Sequence, residues 1–172
     1  MACGGSAPAG GTSSEARTTA SPALERELVG SYGILVVGDR IEVISPRGAV
    51  AAMAPMAQPS LVPQACGQQA AAWVRPAVSA SDHHIYFRDG DTKIRMLVPP
   101  SSAADVTSVP GGPHVISGFS VSPDDQHIAV SVEDLSQAPV INVRLYVDDL
   151  RGAGHHADIY ATSTAAGNPF ML

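Results

Sequence analysis

Basic residues are few and scattered. Ten Lys+Arg stand against sixteen Asp+Glu, a formal net charge of −6, and Lys93 is the single lysine. Nucleic-acid binding needs a clustered basic face, so that partner class is excluded. Charged residues make up 15% of the chain, against roughly 25% in an average soluble protein. No stretch approaches the roughly eighteen consecutive apolar residues of a membrane-spanning helix. There is no Gly-x-Ser-x-Gly elbow, no Gly-x-x-x-x-Gly-Lys-Ser/Thr loop and no dinucleotide fingerprint, which removes the common signatures of serine hydrolases, nucleotide hydrolases and NAD enzymes. Two cysteines, Cys3 and Cys66, cannot build a disulfide scaffold. What is present is an ordinary apolar share, 45% of 172 residues. That is enough for one domain with a buried core.

Residues 1–28 read as a flexible tether. Through residue 23 Gly, Ser, Thr, Ala and Pro dominate with no apolar periodicity, so the stretch cannot offset its own ordering entropy. Ala23 to Val29, with Ser21-Pro22 ahead of it, is the one short helical candidate. The Ala2-Cys3-Gly4-Gly5 run and the tether after it resemble the junction of a bacterial lipoprotein, with Cys3 as the lipidated first residue. The resemblance implies an extracytoplasmic, membrane-anchored protein that meets the membrane only through lipid on Cys3. The charged and apolar signal segment that should precede that cysteine is missing, so a late start site or a fragment is expected. A single acyl chain holds weakly, and stable attachment needs more than one. Cys66 is then an odd cysteine, either paired outside the chain or buried as a small apolar residue.

Beyond residue 29 the pattern turns to short β-type runs punctuated by turn residues. Gly33–Val37 meets Arg40–Ile44 across Gly38-Asp39, a two-residue hairpin signal. His84–Arg88 meets Lys93–Leu97 across a turn containing Asp89-Gly90, and His127–Val132 faces Ile141–Val147. Alternation of polar and apolar positions in the second partners predicts half-buried strands. The edge runs Ala49–Met53, Asp105–Val109 and Asp158–Thr162 end three units, about 30–54, 73–109 and 115–162, with a Pro/Gln/Ala-rich connection over 55–72. Val78-Ser79-Ala80-Ser81-Asp82-His83-His84-Ile85 matches Val121 to Ile128 at five of eight positions, an offset of 43 residues. A repeat of that length with four short strands is the spacing of a propeller blade.

The run Phe119-Ser120-Val121-Ser122-Pro123-Asp124-Asp125-Gln126-His127-Ile128-Ala129-Val130 resembles the TolB-type, WD40-like β-propeller repeat. In that repeat the Ser-Pro-Asp stretch joins the innermost strand of a blade to the second. The resemblance implies an all-β partial propeller over 29–172, of about three four-stranded antiparallel blades with the first incomplete. Ser122, Pro123, Asp124 and Asp125, with Asp89 and Gly90 in the unit before, are the expected turn-building residues. Propellers have four to eight blades; the chain is therefore expected to be a piece of a longer propeller or one of several copies forming a ring. Two open sheet faces predict poor solubility in isolation.

Candidate chemistry is sparse. In a strand the doublets His83-His84 and His155-His156 point to opposite faces, so neither doublet chelates one ion; they read as turn residues. Asp89-Gly90-Asp91-Thr92 lacks the later acidic positions of a calcium loop and is read as a hairpin turn. Trp73, Tyr86, Phe87, Phe119 and Tyr146 read as packing between sheets, with sugar stacking as the alternative. No catalytic residue, metal or cofactor is expected. The expected function is a non-catalytic cell-envelope scaffold or binding module for a protein or glycan partner. The alternative is the propeller portion of a larger envelope hydrolase or peptidase.

Overall fold

The computed structural model describes residues 31–60, 77–137, 140–151 and 154–165. They form eleven β-strands, with no helix among the described residues. The first sheet is β1 (Gly33–Val37), β2 (Arg40–Ile44) and β3 (Val50–Pro55). The middle sheet is β4 (Val78–Ala80), β5 (Ile85–Asp89), β6 (Lys93–Val98) and β7 (Ser102–Ser108). The last is β8 (Val115–Val121), β9 (His127–Asp134), β10 (Val140–Asp149) and β11 (His156–Ala165). Each sheet is an antiparallel meander in which neighbours in sequence are neighbours in space. The three hairpins read from the sequence are present, with Val37 opposite Arg40, Asp89 opposite Lys93 and Asp149 opposite His127. Cys3, Cys66, Trp73 and the helical candidate lie outside the described residues.

The sheets stack with the middle one covered on both faces. Side chains alternate along a strand, and β5 shows the result in two adjacent residues. Phe87 is packed with Ile85 and Leu97 against Ile41, Val43, Ala52 and Ala54 of the first sheet. Tyr86 faces the other way, with Ile94 and Met96 against Val121, Ile128, Val130 and Tyr146 of the last sheet. Both ring side chains are fully buried, and each such burial stabilises by about 1.5–3 kcal/mol. The two seams differ in which strands come closest. In the first, β3 runs beside β6 and β7; its buried Ala52 and Ala54 permit that approach, and the Met53 amide donates to the Pro100 carbonyl at 2.9 Å. In the second, β4 runs beside β8, where the Val121 amide donates to Ser79 Oγ at 2.9 Å.

Strand register corrects the sequence repeat. Val78 pairs with Phe87 and Ala80 with Ile85, while Phe119 pairs with Val130 and Val121 with Ile128. Val78 therefore corresponds to Phe119, not to Val121, and the ungapped match holds only from His84 and His127 onward. The physical reason is the turn: the one ahead of β5 is two residues shorter than the one ahead of β9. Ser81 is the true counterpart of Ser122. Ser81 Oγ accepts from the His83 and His84 amides at 3.2 and 2.9 Å, and Ser122 Oγ accepts from the Gln126 and His127 amides at 3.2 and 2.9 Å. The bulges agree as well, falling between Ile94 and Arg95 in one sheet and at the corresponding Leu145 and Tyr146 in the other.

Candidate functional site

The turns that open β5 and β9 and the end of β10 converge at the rim of the seam between the middle and last sheets. They enclose an open cleft of about 480 Å³, lined by His84, Asp124, Asp125, Gln126, Asp149 and Arg151. Its floor is the β8–β9 turn. Ser122 Oγ donates to Asp124 Oδ1 at 2.6 Å, and the same carboxylate oxygen accepts from the Gln126 amide at 3.2 Å. The Asp125 amide donates to the Ser122 carbonyl at 3.1 Å. Exposed Pro123 offers its carbonyl to the Asp82 amide, 3.0 Å away in the middle sheet. These local bonds hold the Asp124 carboxyl below the ordinary carboxylate value, the Ser122 hydroxyl contributing most and the Gln126 amide next.

Asp125 does more than shape the turn. It sits at φ 60, the left-handed region that aspartate tolerates better than most side chains, and is 9% exposed. One carboxylate oxygen accepts from the Tyr86 hydroxyl and the other lies against His84 Nδ1, both at 2.8 Å. A carboxylate can only accept, so His84 Nδ1 bears the proton. Burial by itself would raise the Asp125 carboxyl. Hydrogen bonds from Ser81, His84 and Tyr86 outweigh that cost and hold it below the ordinary value. The Tyr86 hydroxyl is pushed up to about 12, first by burial and then by its bond to Asp125, with Arg151 acting in the opposite direction.

The far wall comes from β10. The Leu150 amide donates to the Gln126 carbonyl at 2.8 Å, which fixes Asp149 and Arg151 on either side of a buried leucine. Asp149 Oδ2 accepts from the His155 amide at 3.2 Å, and Asp149 Oδ1 lies 3.3 Å from His127 Nδ1. An Arg151 guanidinium nitrogen is 3.7 Å from Met96 Sδ. The lining thus sets carboxylate acceptors beside guanidinium, imidazole and amide donors, a combination suited to a polar ligand with several hydroxyl or amide groups.

No protein-family model, curated protein or solved structure matches the chain. Among the described residues no group of three or more His, Cys, Asp or Glu could hold a metal ion, and no helix is long and apolar enough to cross a membrane.

The remaining sequence candidates lie elsewhere. Asp89 and Gly90 join the first sheet to the middle one. Asp89 Oδ1 accepts from the Ala57 amide at 2.6 Å, Asp89 Oδ2 from Arg95 Nη1 at 3.1 Å, and the Gly90 amide, at φ 66, donates to the Ala57 carbonyl at 2.8 Å. Asp91 accepts from the Ser60 hydroxyl at 2.8 Å, so the segment is a tie between sheets. The histidine doublets divide. His83 is exposed, whereas His84 is half-buried on Asp125, which corrects its reading as a plain turn residue. His156 Nδ1 lies 2.5 Å from Asp148 Oδ1, and Arg144 bonds both His156 Nε2 at 2.8 Å and Asp158 at 2.6 Å. Sequence reasoning missed Tyr86 as a hydrogen-bond donor and gave no signal for Gln126, Asp149 or Arg151. An aspartate at the left-handed position of a turn was the one available clue, and it marked Asp125.

Proposed function

We propose that the chain is a non-catalytic binding module of the cell envelope, built from consecutive blades of a TolB-type, WD40-like β-propeller and tethered through lipid on Cys3. The observation that supports it best is the correspondence between the middle and last sheets. Strand order, turn serine and bulge recur, and their first strands β4 and β8 run side by side, as inner strands do around a propeller axis. The rim cleft between those sheets is the recognition site in this reading. Its alternating acceptors and donors favour a glycan or a polar peptide segment, the hydroxyls or amides of which they would bond pairwise.

Two measurements test the reading. Spin labels at Ala80 and Ser120, on the inner strands, and at Ser108 and Ala161, on the outer strands, report the fan once Cys3 and Cys66 are replaced by serine. The outer pair is expected to lie much farther apart than the inner pair, and equal separations would remove the propeller. For the site, purified peptidoglycan fragments and an array of envelope polysaccharides are the probes. Binding is expected to weaken at least tenfold in Asp149→Asn and Arg151→Ala, and binding that ignores both substitutions would remove the cleft. Expression with the upstream coding DNA should put lipid on Cys3. A hydrolase domain encoded beyond Leu172 would favour the alternative of a larger envelope enzyme.

A further inference from the structure

The charged groups around the rim cleft do not all serve the seam. Asp125 does: its two carboxylate oxygens are taken by the Tyr86 hydroxyl and by His84 Nδ1, both at 2.8 Å. Asp124 uses one oxygen, Oδ1, to hold its own turn, and its depressed carboxyl stays charged through the neutral range. Asp149 accepts from the His155 backbone amide on Oδ2, while Oδ1 lies 3.3 Å from His127. Arg151 reaches Met96 Sδ and the Tyr86 hydroxyl, neither of which is an anion. The described lining therefore offers two carboxylates, Asp124 and Asp149, and one guanidinium, Arg151, to whatever enters. Asp124 stands on the floor, in the β8–β9 turn. Asp149 and Arg151 stand on the far wall, two residues apart and lining the same cleft.

We infer that the cleft takes a small ligand carrying two ammonium groups and one carboxylate, the charge pattern of a free basic amino acid such as L-lysine. This rests on the reading of the cleft as the recognition site and goes further, from a polar occupant to a charged one. The reason is charge balance. A ligand that enters strips water from the charges on the walls, and an ionised group left there without a partner is costly. A neutral sugar can bond Asp124, Asp149 and Arg151 but neutralises none of them. A monoamine leaves one carboxylate over, and a dicarboxylate meets like charge. Two ammonium groups answer the two aspartates. One carboxylate answers the guanidinium, the fork of which can hold both of its oxygens. Asp149 and Arg151, close together on one wall, suit the ammonium and carboxylate that share an α-carbon, and the side-chain ammonium then crosses to Asp124. A volume of about 480 Å³ accommodates a ligand of this size. The net charge of −6 favours the approach of a cation.

Calorimetric titration of the full-length chain with L-lysine, at pH 7 and low salt, tests this. Binding with a Kd of about 1 mM or tighter is expected. Three analogues each lack one group: cadaverine the carboxylate, 6-aminohexanoate the α-ammonium and L-norleucine the side-chain ammonium. Each should bind at least tenfold more weakly than L-lysine, since each forfeits one charge-assisted contact. Variants assign the contacts. Asp124→Asn keeps an acceptor for Ser122 and should weaken L-lysine at least tenfold while leaving L-norleucine unchanged. Arg151→Ala should weaken L-lysine at least tenfold and should not weaken cadaverine, which brings no carboxylate. A misfolded variant would lose every ligand alike, and urea unfolding checks each variant separately. A chain that takes up no L-lysine at 10 mM overturns the inference. So does L-norleucine binding as tightly as L-lysine, and so does Arg151→Ala weakening L-lysine and cadaverine equally. Envelope polysaccharides or peptidoglycan fragments that bind and are lost in Asp149→Asn, with L-lysine ignored, would overturn this occupant alone and leave the cleft standing as the recognition site.

Discussion

The strongest single test of the seam between the middle and last sheets is removal of the Asp125 carboxylate. Asp125→Ala leaves the fully buried Tyr86 hydroxyl without its acceptor, a cost of about 1–3 kcal/mol. It also removes the charge-assisted bond to His84, about 1.5–3 kcal/mol, and asks alanine to hold φ 60, about 1 kcal/mol more. These contributions overlap, and a loss of about 4 kcal/mol is expected at pH 7 in urea unfolding. Asp125→Gly should recover about 1 kcal/mol of that by releasing the backbone. Asp125→Asn, which keeps an acceptor and tolerates the same φ, should lose only about 1–2 kcal/mol. Tyr86→Phe alone should cost about 1–1.5 kcal/mol. In the double variant Asp125→Ala with Tyr86→Phe there is no orphaned hydroxyl, so the loss should fall short of the two single losses taken together by about 1–2 kcal/mol. Additivity within about 0.5 kcal/mol would refute the assignment. Asp125 would then be a turn residue whose bonds across the seam add nothing to stability.

Further outcomes follow from the same structure. The Asp125 carboxyl is depressed in the folded chain, so its stabilisation is complete above the ordinary value of 3.8 and is lost as pH falls below it. The stability difference between the wild type and Asp125→Asn should be flat at neutral pH and shrink below about pH 4. Tyr86 is the opposite case: raised from 10.0 to about 12, it contributes stability below pH 10 that disappears as pH rises towards 12. Tyr86→Phe should flatten part of that alkaline loss, and absorbance titration should show one late tyrosine absent from the variant. Phe87→Ala should cost about 3–5 kcal/mol, and hydrogen exchange should show the amides of the first sheet losing protection ahead of those in the last. Gly111→Ala would place a methyl 2.0 Å from the Asp91 carbonyl oxygen; the backbone must shift, and a loss above about 2 kcal/mol is expected in thermal or urea unfolding.

Much of the fold was legible because hairpins announce themselves locally. Gly38-Asp39 between two β-branched runs, and Asp89-Gly90 between Phe87 and Ile94, are short-range signals that need no knowledge of the rest of the chain. The repeat was legible for the same reason, but its alignment was not. A turn two residues shorter left Val78 and Ser79 facing look-alikes at Val121 and Ser122, and only strand register, a long-range property, reveals the slip. The site was legible in part. Asp124 and Asp125 were found as turn builders, yet nothing local distinguishes a solvated aspartate from one that accepts a buried tyrosine hydroxyl from another sheet. Arg151 joins the same cleft through a single backbone bond from Leu150 to Gln126, an arrangement without any sequence pattern.

The double covering of β5 has a consequence for how this protein can change. Both rows of side chains on that strand, with Tyr86 on one face and Phe87 on the other, are committed to neighbours. Drift within the strand is therefore confined to swaps that keep volume on both sides at once. New specificity has to arise at its two ends, where His84 and Asp89 already stand, so variation among relatives of this chain should concentrate in those turns while the rungs between them stay fixed.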